Sequence, residues 1–148
     1  MSVAVKRYHD ISCGHRVLDH EGACARLHGH NYRFHFTVQS TRGLTELDRV
    51  GRVVDFSVIK GLLCRWLDEN WDHRFLVYAL DPWAATLSKL DETVVQLTFN
   101  PTAENLASYL VGYVGPKILP FDLRLVEVTV EETRKCSAVV WQTWEDEQ

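Results

Sequence analysis

Two histidines separated by one glycine, His28-Gly29-His30, are the strongest chemical signal in the chain. On a strand, positions i and i+2 share a face, so both imidazoles arrive at a spacing suited to two ligands of one metal ion. Gly29 keeps the opposite side clear. His15 ends the preceding strand-like segment on the parity of Ile11 and Cys13 and supplies a third nitrogen if the two strands pair near their ends. Three histidines with an open fourth position describe catalytic zinc. Taken alone, such a pair also suits two polar residues ending a strand.

Cys24 lies four residues before His28 in the loop Glu21 to Leu27, which delivers it close to any metal held there. Beside a cation the thiolate form is favoured, and it would act as base or nucleophile. The same spacing also allows Cys24 to close a four-ligand structural site. Asp72-His73 is a second pair with chemistry, because a carboxylate beside an imidazole orients the ring for proton transfer. Its plain alternative is a solvated turn. Glu132 shares the parity of Val126, Val128 and Val130. A carboxylate ending an apolar face is costly unless it meets donors, so a ligand offering paired N–H groups fits it. A wet strand end fits it as well.

These groups need a scaffold, and the hydrophobic pattern provides one. His28 to Gln39 alternates, with Tyr32, Phe34, Phe36 and Val38 on one parity, which predicts a half-buried strand. Val3 to His15 reads as a strand interrupted in pattern by Arg7 and His9. After the polar loop Ser40 to Asp48, Gly51 to Phe56 reads as a short third strand. Ser57 is placed to cap a helix carrying Ile59, Leu62, Leu63, Trp66, Leu67 and Asn70 at helical spacing. A connecting stretch around Asp81-Pro82-Trp83 leads to a short strand, Val94 to Phe99. Thr102 opens a second helix with Glu104 in its first turn. Its stripe is Leu106, Ala107, Leu110, Val111 and Val114, and Gly115-Pro116 should stop it. Strands follow at Leu123 to Glu132 and Ala138 to Gln142. The order predicts an α+β fold, an antiparallel sheet with both helices on one face, whose uncovered face and edges call for oligomerisation.

Composition excludes several classes. With 148 residues, 46% hydrophobic and 24% charged, the chain is one domain of ordinary globular make-up. Sixteen basic against 20 acidic residues and no basic block disfavour polynucleotide binding. No apolar run reaches the length of a membrane span, and no secretory h-region stands at Met1 to Asp10, so a cytoplasmic protein is expected. The four scattered cysteines suggest reduced thiols. The acidic residues Glu145-Asp146-Glu147 read as a disordered tail spanning 145–148.

The whole set resembles the 6-pyruvoyltetrahydropterin synthase and 6-carboxytetrahydropterin synthase family. The matching stretches are Cys24-Ala-Arg-Leu-His28-Gly-His30-Asn-Tyr, Val53-Val-Asp-Phe-Ser, Asp72-His73, Asn100-Pro-Thr-Ala-Glu104-Asn-Leu-Ala and Glu132-Thr133, in family order over almost the whole chain. The short gap between Cys24 and His28 is similar to the bacterial carboxy branch. Cys13-Gly14 stands where the family usually has alanines, Trp71 where it has leucine, and the connection from Phe75 to Asn100 is longer than in compact members. Cys13 is expected to serve packing.

The resemblance implies a tunnelling fold: a four-stranded antiparallel sheet with two helices, trimers closing a barrel and two trimers stacked as a hexamer. It implies zinc on His15, His28 and His30, with Cys24 as base, Asp72-His73 as the second acid/base pair and Glu132 as pterin anchor. The implied reaction converts 7,8-dihydroneopterin triphosphate to 6-carboxy-5,6,7,8-tetrahydropterin on the way to queuosine. Cys24 and Asp72-His73 would meet across a subunit boundary. A pyruvoyl-type synthase and a non-catalytic zinc-containing pterin-binding module are the alternatives.

Overall fold

The computed structural model describes residues 1–142, so the tail predicted at 145–148 lies outside the described residues. The two long N-terminal strands are β1, Val5–His15, and β2, His28–Ser40. They pair antiparallel without a register break, from Val5 opposite Val38 to His15 opposite His28. Arg7 and His9 do not interrupt β1. Cys64 borders Arg7, and the ring of His9 lies 2.7 Å from Asp68 on the first helix.

That helix, α1, runs through Phe56–Ile59, a π-helical stretch Lys60–Cys64 and Arg65–Asn70. Its cap is Asp55, whose carboxylate accepts from the Ser57 amide at 2.8 Å, not Ser57. The wider π turn rotates the following residues, so Cys64 is buried beside Leu63 and Leu67. The strand expected at Gly51 to Phe56 is absent. Asp48 instead accepts from the amides of Val50 and Arg52, both at 3.0 Å, and ties the segment into a turn.

Between the helices comes a unit the pattern only half revealed: β3 (Phe75–Tyr78), α2 (Ala84–Leu90) and β4 (Val95–Leu97). The second main helix, α3, runs through Ala103–Tyr109, a π-helical stretch Leu110–Val114 and Gly115–Ile118. Thr102 caps it as expected, accepting from the Asn105 amide at 3.2 Å. It does not stop at Gly115-Pro116. Pro116 falls in the first positions of the last segment, and the helix ends at Leu119, forced to extended backbone ahead of Pro120. β5, Leu123–Thr133, and β6, Cys136–Trp141, are the last elements of the described residues.

Among the described residues the sheet has six strands in the order β4-β3-β1-β2-β5-β6. The four long strands are antiparallel neighbours, but β3 and β4 run parallel to β1, which corrects the four-stranded antiparallel expectation. Parallel pairing needs a crossover, and α2 provides it. The expected α+β class and the placement of both main helices on one face hold: Tyr32, Phe34, Phe36, Val128 and Val130 form one buried cluster with Leu63, Leu67, Trp71, Leu106 and Leu110. The other face is polar, with Lys6, Asp10, Arg33, His35, Glu127 and Glu131 paired across strands.

Candidate metal centre and adjoining cavity

Register builds the site. Because His15 stands opposite His28 on the helix-covered face, and His30 lies two residues further along β2, the three rings converge with centroids 4.5, 5.2 and 4.9 Å apart. One nitrogen from each lies within 4.8 Å of the other two. These cross-strand neighbours need no loop to bring them together, only an unbroken ladder.

Backbone carbonyls choose the tautomers. Nδ1 of His15 lies 2.7 Å from the Pro101 carbonyl, and Nδ1 of His28 lies 2.7 Å from that of Arg26. A carbonyl can only accept, so each ring carries its proton on Nδ1 and leaves the Nε2 lone pair free. Nε2 of both His28 and His30 is buried without a hydrogen-bond partner among the described residues. Burial depresses the His15 pKa to about 4, and burial also lowers that of His30, so these rings are neutral at neutral pH. Three converging imidazoles, two of them oriented by carbonyls at Nδ1, fit a divalent metal such as zinc. Tyr32, fully buried, packs edge-on to His15 with its hydroxyl 3.2 Å from Nδ1. Burial raises its pKa and keeps the phenol neutral.

Glu132 reaches the same point. Its Oε1 is 3.3 Å from Nε2 of His15 and 3.5 Å from Nε2 of His30. The β5–β6 ladder shifts between Glu131 and Thr133, so Glu132 is the extra residue of a bulge, a device that re-aims a side chain.

Cys24 sits in the one-turn helix Ala23–Ala25, and its carbonyl accepts from the Val17 amide at 2.8 Å. It is not part of the three-histidine cluster, which argues against a closed four-ligand site. It lines a cavity of about 230 Å³ together with Glu132, Glu104, Thr102, His20 and Cys136. Sequence reasoning overlooked His20 and Cys136 as site residues, since a loop has no period and a strand start has little. Cys13 is buried, and burial pushes its thiol up to about 12, so it packs as an inert thiol.

Asp72 and His73 are placed elsewhere. The Asp72 carboxylate accepts from the Ser12 amide at 3.0 Å and lies 2.9 Å from Nδ1 of His73. The His73 amide in turn donates to the Ser12 carbonyl at 2.7 Å, and its backbone takes a positive φ of 57°. This pins the pair to the edge of β1 with the His73 side chain 82% exposed. It borders depressions lined by Ser12 and Asn31 on the polar face, the larger about 490 Å³, and not the Cys24 cavity. Within one chain, Cys24 and Asp72-His73 do not meet.

Known proteins resemble the chain over most of its length. The chain is 34% identical over 130 residues to a 6-carboxy-5,6,7,8-tetrahydropterin synthase of Rickettsia bellii, covering 86% of this chain and 91% of the relative. It is 36% identical over 130 residues to a probable 6-carboxy-5,6,7,8-tetrahydropterin synthase of Halobacterium salinarum, covering 86% and 79%. Among solved structures, an uncharacterized protein of Wolinella succinogenes superposes with a TM-score of 0.83 at 25% identity, covering 97% and 99% of the two chains. The 6-pyruvoyl tetrahydropterin synthase of Caenorhabditis elegans shares the fold, with a TM-score of 0.68 at 23% identity over 95% and 96% of the chains. With the family pattern matched over residues 4–143, the chain belongs to the 6-pyruvoyl tetrahydropterin synthase family.

Proposed function

We propose that this protein is a zinc-dependent 6-carboxytetrahydropterin synthase, a lyase that converts 7,8-dihydroneopterin triphosphate and water to 6-carboxy-5,6,7,8-tetrahydropterin with release of acetaldehyde and triphosphate. The product would feed 7-deazaguanine biosynthesis, as in queuosine, in the cytoplasm. The observation that carries the reading is the convergence of three histidines beside a cavity that holds both a thiol and a carboxylate. Relatives bearing the carboxy name, at 30% to 36% identity over 86% of the chain, favour this product over the pyruvoyl one.

His15, His28 and His30 would hold the zinc, which when bound supplies Lewis acidity to the hydroxyls of the substrate side chain. Glu132 accepts hydrogen bonds from the pterin amino group and ring N–H, a donor pair matched to a carboxylate. With the ring anchored, the side chain is fixed against Cys24. Cys24, as thiolate, takes the proton from the adjacent C–H. Asp72-His73 acts as the second acid/base pair from a neighbouring subunit, which accounts for a histidine displayed to solvent on the far face of its own sheet.

The oligomer belongs to the same proposal. Among the described residues β3 pairs with β1 only at Gly14 and His15 and the Asp72-His73 turn covers Ser12, which leaves Val5–Ile11 as an open edge, and β6 forms the other long edge with Val139 and Trp141 exposed. Edge pairing between copies closes trimers, and two trimers form the hexamer. Product analysis tests the reaction: the zinc-loaded protein incubated with dihydroneopterin triphosphate should release acetaldehyde. A pyruvoyl product without acetaldehyde would support the alternative synthase, and binding without turnover a pterin-binding module.

A further inference from the structure

With the pterin ring on Glu132 and the metal on three histidines, the triphosphate of the substrate still lacks a partner, and assigning it one rests on the proposed function. The described residues lining the cavity beside the histidines include two carboxylates, Glu104 and Glu132, and neither lysine nor arginine. A triphosphate brings several negative charges and needs donors and positive charge. Among those lining residues, His20 is the one side chain that can carry a positive charge.

Its hydrogen bonding is the reverse of that at His15 and His28. The Gly22 amide donates to Nδ1 of His20 at 2.8 Å, so Nδ1 is the acceptor and the proton of the neutral ring sits on Nε2. The ring closes against Gly22, where a Cβ would come within 3.3 Å of Cε1. Among the described residues nothing accepts from Nε2, so this N–H is free for a ligand. His28, eight residues on, has its proton on Nδ1 and its Nε2 lone pair bare. One stretch of chain thus presents one histidine built to accept a cation and another built to donate to an anion.

We propose that His20 is a substrate-binding residue that donates its Nε2–H to a phosphate oxygen of the side-chain triphosphate, and so selects phosphorylated over unphosphorylated dihydroneopterin. The test uses the zinc-loaded protein carrying Cys24→Ala, which removes the proposed base and most turnover, titrated with dihydroneopterin triphosphate and with dihydroneopterin. The parent should prefer the triphosphate at least tenfold. His20→Asn keeps an oxygen able to accept from the Gly22 amide but offers no donor at the Nε2 position. It should lose most of that preference, with dihydroneopterin affinity unchanged. A preference kept in His20→Asn overturns the assignment. So does an equal loss for both ligands, which would make His20 a prop of the loop alone. If the parent binds neither pterin, the proposed function itself fails, a result distinct from either.

Discussion

Replacing Glu132 by glutamine probes the centre of the proposed site. The side chain keeps its shape on the bulge but exchanges a charged double acceptor for one acceptor and one donor. In the proposed complex it loses one charge-assisted hydrogen bond, worth about 1.5 to 3 kcal/mol, and sets an N–H against a ring N–H. Together these come to roughly 3 kcal/mol, or about a hundredfold in Kd. The free protein offers a counterweight: Oε1 stands 3.3 and 3.5 Å from two histidine Nε2 atoms, so the carboxylate also borders the metal position. With three imidazoles still in place, zinc content should be unchanged. Pterin titration by fluorescence or calorimetry, with metal content measured on the same samples, separates the two roles. Unaltered pterin affinity would move the anchor to Glu104, the other carboxylate of the cavity, since Glu131 is paired with His35 on the opposite face. Loss of zinc as complete as in His28→Ala would make Glu132 a ligand and refute the anchoring argument.

The same geometry sets further expected outcomes. His28→Ala should lose both metal and activity while Cys24→Ala keeps the metal and loses most turnover, and metal analysis showing equal zinc loss in both would sink the role of Cys24. Co-assembling inactive Cys24→Ala and His73→Ala chains in equal amounts should restore activity at about a quarter of the shared sites, whereas no recovery in a verified mixed oligomer would place each site within one chain. Gly115→Ala should destabilise the fold by about 1 to 3 kcal/mol, seen as a lowered Tm, because the added Cβ meets the Leu125 side chain at 2.9 Å where α3 crosses the sheet. In metal-free protein, the His15 pKa of about 4 against 6.5 when unfolded means that only the unfolded chain holds this proton between those values. Stability from this group is therefore full above pH 6.5 and lost as pH falls towards 4, on the order of 3 kcal/mol. Chemical denaturation across this range should show the loss, and a loss undiminished in His15→Gln would count against it.

The sequence alone determined what depends on local period and side-chain chemistry. Alternation at Tyr32, Phe34, Phe36 and Val38 set the buried face of β2, and the same period put His28 and His30 together on it. The stripe from Leu106 to Val114 set the packed face of α3. Tertiary structure decided everything that depends on a partner distant in the chain. Whether His15 joined the other two histidines rested on the β1–β2 register, which no single strand encodes. The tautomers of His15 and His28 were fixed by carbonyls, one of them Pro101, 86 residues from His15. The parity of Glu132 was only half the matter, because a bulge against β6 set its final aim. Phe75–Tyr78 is a continuous apolar run without a period, so its parallel pairing with β1 and the mixed sheet could not be read from the pattern. The same edge contact to Ser12 carried Asp72-His73 to the far face, because the Asp72 carboxylate and the His73 amide both bond to the backbone of a residue sixty positions earlier.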